Sequence, residues 1–208
     1  MSDYLPPLFA KEQLEWVNSL AEDPEGAIWL GTKLGFLHRF QKGEFTTFVK
    51  SDKDTQFPVC SLYFHRPGEL WLARFGFGLS RLKDGQFTHY TLAEGLPTTT
   101  INGILDDGRG FLWMTSKQGV YRIAKTDFDA FADHKTADAR WQHFTQKDGL
   151  PSAGCQGEQN KPSLCQTSDG RIWVPTLGGV GVIDPSTLSD TDAPAPAVIE
   201  SVLLYRAG

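Results

Sequence analysis

Three basic residues recur at nearly the same place in successive segments of the chain. Lys33, Arg74 and Lys117 each stand in a short run of glycine, polar or aromatic residues between two apolar stretches. Cations that converge on one mouth favour an anionic ligand such as a carboxylate, a phosphate or an acidic sugar. Because long cationic side chains also lie on loops simply to keep a protein soluble, a binding role and a solubility role both stay open.

A second group of candidates surrounds Cys155, in the irregular segment 152–160. Cys155 and Glu158 combine a thiol with a carboxylate and are the weak catalytic candidates of the chain. For Cys155 a structural role, a ligand contact and a nucleophilic role stay open, as does a disulfide in an oxidising compartment. The predicted ligand-binding set consists of Lys33, Arg74, Lys117, Asn102, Cys155, Gln159 and Asn160.

No recognised catalytic or metal-binding motif accompanies these candidates. The five histidines form no metal motif, and neither G-x-S-x-G nor H-E-x-x-H occurs. The aspartate-containing stretches 106–110 and 169–171 lack the dense oxygen ligands of a calcium loop, so we predict Asx turns there. Cys165 is predicted to be a small buried hydrophobe. We expect no metal and no cofactor. A divalent metal would be expected only if the protein were a hydrolase.

The composition excludes several classes of protein. The 208 residues include 20 basic and 25 acidic ones, and a net charge of −5 argues against a nucleic-acid binder. No apolar run approaches the ~18 residues of a membrane span, so we expect no membrane insertion. The first residues lack the basic and apolar regions of a secretory signal, so the chain as written is expected in the cytoplasm.

Internal repetition is the strongest signal in the sequence. Trp29, Trp71 and Trp113 are spaced by 42 residues, and Trp173 lies 60 residues further on in a fourth copy. Each copy contains four short apolar stretches divided by turn residues, which predicts four antiparallel strands. A four-stranded repeat of about 40–50 residues is typical of a β-propeller blade. The predicted fold is all-β, with four four-stranded blades and the repeated tryptophans packed between them.

The repeat also sets the predicted boundaries. An N-terminal extension covers 1–14, and the first two blades cover 15–50 and 51–92. The third blade covers 93–146 and contains a short helical insertion at about 126–134, for which Thr126 is the predicted N-cap. The fourth blade covers 147–192, and a C-terminal strand follows at 193–208.

Several stretches resemble the two-component regulator propeller repeat. The resemblance rests on residues 18–32, on 94–97 through Trp113, on 148–151 and on 168–176, while 193–200 resembles the start of the Ig-like domain that follows such propellers. It implies the periplasmic sensor part of histidine kinases and hybrid regulators, built as rings of more than four blades. The chain departs from that pattern because it contains no kinase and no complete following domain.

Three functions stay open at this point. The first is a ligand-sensing or interaction propeller module without kinase activity of its own, with a small anionic or carbohydrate ligand. The second is a hydrolase or lyase acting on esters, phosphoesters or glycans at the channel mouth, metal-assisted or promiscuous. The third is a structural fragment that self-assembles. Fold-level analogy is a weak guide to the second.

The number of blades leads to an expectation about assembly. An open half-ring exposes two apolar blade faces, which monomers rarely tolerate. Two chains could close an eight-bladed ring with two-fold symmetry. The apolar strand predicted at 198–204 adds a further edge that favours a partner. We therefore expect a homodimer that closes a propeller ring.

Overall fold

The structure, a computed structural model, describes residues 16–49, 57–134, 139–155 and 163–188. It contains four antiparallel sheets in which the strand order follows the chain order. The first sheet consists of β1 (Val17–Glu22), β2 (Ile28–Thr32), β3 (Leu37–Gln41) and β4 (Glu44–Val49). The second consists of β5 (Val59–Arg66), β6 (Glu69–Arg74), β7 (Gly78–Lys83) and β8 (Gln86–Tyr90).

The third and fourth sheets continue the same pattern. The third consists of β9 (Ile101–Asp106), β10 (Phe111–Ser116), β11 (Gly119–Ala124) and β12 (Gln142–Phe144), with helix α1 (Lys125–Ala132) inserted before its last strand. The fourth has three described strands, β13 (Cys165–Gln166), β14 (Ile172–Thr176) and β15 (Gly179–Ile183). Short 3-10 helices occupy Leu92–Glu94, Gln146–Asp148 and Pro185–Thr187.

Successive sheets pack face to face through apolar cores. One core joins the second and third sheets, another joins the third and fourth, and a third joins the first and second. The innermost strands β1, β5 and β9 contact one another in sequence. The sheets are therefore the blades of a β-propeller, and the predicted all-β propeller fold is confirmed. The remainder of the predicted fourth blade, the extension 1–14 and the strand 193–208 lie outside the described residues.

The first three repeated tryptophans lie between blades, as predicted, whereas Trp173 of the fourth blade is 38% exposed. Trp71 and Trp113 are fully buried and Trp29 is nearly so. Each indole also donates a hydrogen bond from Nε1 to a carboxylate near the first hairpin of its own blade. The acceptors are Asp23 at 2.8 Å, Glu69 at 2.8 Å and Asp107 at 2.9 Å. The tryptophan thus joins the hairpin to the core, because a buried N–H requires an acceptor.

The aspartate-containing stretches form turns, as predicted. In the third blade the Asp107 carboxylate accepts hydrogen bonds from the backbone N–H groups of Arg109 and Phe111, at 2.8 and 3.1 Å. In the fourth blade Asp169 accepts one from the backbone N–H of Arg171 at 3.2 Å. These carboxylates hold their own hairpins, which is the role of an Asx turn.

Helix α1 exists, but its start differs from the prediction. Its N-cap is Ala124, which makes no side-chain capping bond, and Thr126 lies inside the first turn. The reason is that β11 runs directly into the helix, where the backbone N–H of Lys125 donates to the carbonyl of Gly110 at 2.8 Å. In the described part of the chain, no helix has the length and apolarity that crossing a membrane would require.

Cys165 was predicted to be buried, and that prediction is wrong. It is exposed on β13 and pairs with Trp173, which is itself 38% exposed. Both lie on the face of the fourth blade that no other described sheet covers. Their equivalents in the third blade are shielded because the fourth blade packs against them.

Candidate functional site

The loops between the second and third strands of the blades lie at the end of the propeller where the inner strands begin. We call these loops, residues 32–35, 74–77, 116–118 and 176–178, the rim. Backbone hydrogen bonds tie the rim to the segments that lead into the inner strands. Gly76 N–H donates to the Thr99 carbonyl at 3.0 Å, Cys155 N–H to the Ser116 carbonyl at 3.0 Å and Leu177 N–H to the Gly154 carbonyl at 2.9 Å.

Arg74 is a buried member of the rim. Its side chain is fully inaccessible, and Nη2 donates to the carbonyl of Gly35 in the first rim loop at 3.1 Å. The guanidinium also lies 5.5 Å from the ring centre of Phe77. Arg74 therefore connects two neighbouring rim loops and contributes positive charge from below the surface.

The other two predicted cations are exposed. Lys33 Nζ lies 4.4 Å from the ring centre of Trp16, and Lys117 Nζ lies 4.6 Å from that of Phe75. At these distances the rings attract the ammonium groups and limit their movement. Since Phe75 follows Arg74, the structure brings the first three rim loops together through Arg74 and Lys117.

Asn102 lies in β9, beneath the rim, and is only 2% exposed. Its Nδ2 donates to the carbonyl of Cys155 at 3.1 Å, which links the third blade to the fourth. Its Oδ1 is buried and makes no hydrogen bond to the described residues. A buried acceptor without a donor costs about 1–3 kcal/mol.

Cys155 is buried, with 4% of its surface exposed. It forms an isolated antiparallel bridge with Thr176, and its thiol donates to the Ala153 carbonyl at 3.6 Å. Burial raises the pKa of the thiol to about 11, against a smaller opposing effect of the Ser116 backbone. The thiol is therefore protonated at neutral pH and is a poor nucleophile. Glu158, Gln159 and Asn160 lie outside the described residues.

A polar network between the second and third blades was missed from the sequence. Tyr63 donates from its hydroxyl to Asp106 at 3.0 Å and lies 3.2 Å from His65 Nδ1, while Lys125 donates to Asp106 at 2.6 Å. His65 also contacts Asp129 of α1 through Nε2. Burial and Asp106 raise the pKa of Tyr63, so the phenol stays protonated. The network holds the helix against the second blade. In the sequence, the predicted helical insertion was the one indication of this network.

Comparison with known proteins agrees with this architecture. Residues 12–33 match the family model described as two component regulator propeller, which confirms the resemblance for the first repeat. No curated protein sequence matches the chain.

Among solved structures, the extracellular domain of BT4673 from B. thetaiotaomicron, described as a hybrid two component system, is similar. It is 21% identical with a TM-score of 0.64, over 83% of this chain and 24% of that one. Virginiamycin B lyase from Staphylococcus aureus is 19% identical with a TM-score of 0.56, over 83% of this chain and 53% of the lyase. At such identities the comparisons show the fold alone. The chain spans about a quarter of the length of the BT4673 domain.

Proposed function

We propose that this chain, whose first repeat is a two-component regulator propeller repeat, is a ligand-recognition module that binds a small anionic solute at the rim. The observation that carries the proposal is the exposure of Lys33 and Lys117 on a rim held by buried Arg74. The related BT4673 domain is extracellular, so a dissolved small molecule is a suitable class of ligand.

The charge distribution supports this choice of ligand. The rim loops contain three basic residues and no acidic one, although the whole chain carries a net charge of −5. Positive charge concentrated on one surface of an acidic protein attracts anions there. Hydrolysis is less favoured as a function, because the Cys155 thiol is protonated and buried.

The test is a thermal-shift titration with succinate, inorganic phosphate and glucuronate. We expect at least one anion to raise the melting temperature, since a ligand at 100 times its Kd adds about 2.7 kcal/mol to the stability. The double variant Lys33→Gln, Lys117→Gln should abolish that shift. Arg74 is left intact because its removal would disturb the rim itself.

The control removes the same charge from the opposite end of the propeller. Lys42→Gln with Arg171→Gln alters two hairpins far from the rim and should leave the shift unchanged. Equal shifts in the rim variant and the native chain would place the anion site elsewhere. The absence of a shift with all three anions would contradict the choice of ligand class.

A second candidate function, ring completion by pairing, has its own support. The outer face of the fourth blade, which we call the C-terminal end face, bears Cys165, Trp173 and Val180. The outer face of the first blade, which we call the N-terminal end face, bears Leu20 opposite Leu30. Val180 is 45% exposed while its equivalent Val120 is fully buried. Leu20 is 65% exposed while its equivalent Ile104 is 8% exposed. Each end face therefore corresponds to one side of the blade-to-blade contact that is buried between internal blades.

We propose that two copies pack these end faces against each other and close an eight-bladed ring. Two-fold symmetry would place the C-terminal face of each chain on the N-terminal face of its partner, which covers all four faces. Large exposed apolar patches otherwise favour nonspecific association.

Light scattering measures this assembly directly. We expect a particle of twice the 23.1 kDa chain mass at micromolar concentration. Leu20→Glu should return it to the mass of one chain, because the glutamate would be buried without a partner. Leu92→Glu is the matched control, since Leu92 is 61% exposed in a connecting 3-10 helix. A single-chain mass for the native protein would refute the pairing.

A further inference from the structure

A cleft opens between the first and second blades, at the end of the propeller opposite the rim. Its volume is about 370 Å³, and aromatic side chains line its interior. Trp29 packs on Phe48 with ring centres 4.8 Å apart and on Phe64 at 6.1 Å. Phe48 is 37% exposed, which is high for an aromatic side chain packed on a buried tryptophan. Four charged residues line the cleft together with these aromatic rings: Asp23, Glu25, Arg39 and Asp84.

Between the second and third blades, helix α1 fills the equivalent space. Phe128 packs on Trp71 with ring centres 4.7 Å apart, and Phe131 packs on Tyr90 at 5.2 Å. Both phenylalanines are almost completely buried. The Tyr90 hydroxyl donates to the Ala132 carbonyl at 2.6 Å, which secures the end of the helix.

The two spaces are equivalent by the repeat of 42 residues. Trp29 corresponds to Trp71, and Phe48 corresponds to Tyr90. The ring centres of Trp71 and Tyr90 lie 5.0 Å apart, close to the 4.8 Å between those of Trp29 and Phe48. In the second blade the connection after β7 is a tight hairpin instead of a helix, so no described segment covers Trp29 and Phe48 as α1 covers Trp71 and Tyr90.

The turns after the innermost strands carry different residues at the two spaces. In the filled space, His65 and Arg66 of the second blade contact the acidic Asp129 of α1. In the open cleft, the corresponding turn of the first blade carries Asp23 and Glu25 instead.

Asp84 adds a third carboxylate to the open cleft, from the side of the second blade. The one cation of its lining, Arg39, already pairs with Asp23 at 3.1 Å and with Glu25 at 2.9 Å. The lining of the open cleft therefore has an excess of negative charge.

We infer that this cleft binds a peptide segment of a partner protein, in which aromatic residues are flanked by lysine or arginine. The segment would place an aromatic ring on Trp29 and Phe48, as α1 places Phe128 and Phe131 on the next pair. Its cations would meet Glu25 and Asp84, because charge complementarity selects among segments of similar shape. This site is separate from the anion site at the rim.

The probe is a fluorescein-labelled peptide with the sequence of residues 124–134, in which Asp127, Asp129 and Asp133 are each replaced by lysine. Fluorescence anisotropy with the full chain should show saturable binding. The peptide with the native acidic sequence should bind at least about tenfold more weakly, since its carboxylates would face Glu25 and Asp84. A peptide this short is mostly unfolded when free, which lowers both affinities alike.

Variants of the full chain locate the bound peptide. Glu25→Gln with Asp84→Asn should weaken binding of the lysine peptide about tenfold. Both changes suit the fold, because Glu25 is exposed and asparagine tolerates the left-handed backbone of Asp84, with φ of 50°. Glu44→Gln, on a hairpin outside the cleft, is the control and should leave the affinity unchanged.

Phe48→Ala tests the aromatic contact and should abolish saturable binding while the melting curve stays cooperative. The inference is overturned if the lysine peptide fails to bind, or if Glu44→Gln weakens binding as much as the cleft variant does. It is also overturned if Phe48→Ala binds normally, since the peptide would then sit on surface charge alone. None of these three outcomes depends on anion binding at the rim.

Discussion

Replacing Trp71 by alanine is expected to lower the free energy of unfolding by ~3–5 kcal/mol. The indole is fully buried between the second and third blades, where it contacts Tyr90 and Phe128. Its removal would leave a cavity that the surrounding sheets cannot fill. It would also leave the buried carboxylate of Glu69 without the indole donor at 2.8 Å.

Urea denaturation followed by circular dichroism measures this loss. The matched variant is Trp173→Ala, which deletes the equivalent residue of the fourth blade, 38% exposed. We expect it to cost less than half as much at protein concentrations that favour single chains. Equal losses at the two positions would contradict the account of blade packing. A loss at Trp173 that grows with protein concentration would support ring completion.

Replacing Asp107 by alanine is expected to lower the free energy of unfolding by about 3 kcal/mol, because each buried group left unsatisfied costs about 1–3 kcal/mol. The carboxylate accepts hydrogen bonds from two backbone N–H groups of its turn and from Trp113 Nε1. Trp113 is fully buried, so water cannot replace that acceptor.

The control for this variant is Asp169→Ala, at the corresponding hairpin of the fourth blade. That aspartate is exposed, and Trp173 Nε1 donates to Thr167 instead of to the aspartate. Thermal and urea unfolding should therefore show a much smaller loss. If Asp107→Ala proved as mild as Asp169→Ala, the hydrogen bond from the carboxylate to the indole would have no energetic role.

The repeat made the fold predictable from the sequence. Trp29, Trp71 and Trp113 stand at equal spacing, with glycine-containing turns at constant offsets, which predicts equivalent places in successive blades. All three indoles are buried there. Alternation of apolar residues within short strands is a local property, so the strands can be predicted without knowing which sheet packs against them. The turns at Asp107 and Asp169 were predictable for the same reason, because an Asx turn involves only neighbouring residues.

The chemistry of the candidate residues depended on contacts between residues far apart in the sequence. Lys33, Arg74 and Lys117 look alike in the sequence, yet Arg74 alone is buried, since the carbonyl of Gly35 on the first rim loop accepts its hydrogen bond. Cys165 occupies a position that is partly buried in the other blades and is exposed here, because no described sheet covers its face.

The open cleft is the clearest case of a feature that only the tertiary structure reveals. The sequence predicts a helical insertion after β11 but cannot show which surface the helix covers. Helix α1 covers Trp71 and Tyr90, whereas the equivalent pair Trp29 and Phe48 forms a similar aromatic surface that no described helix covers. Strand periodicity is set by neighbouring residues, whereas burial and charge environment are set by whichever segment packs from the next blade.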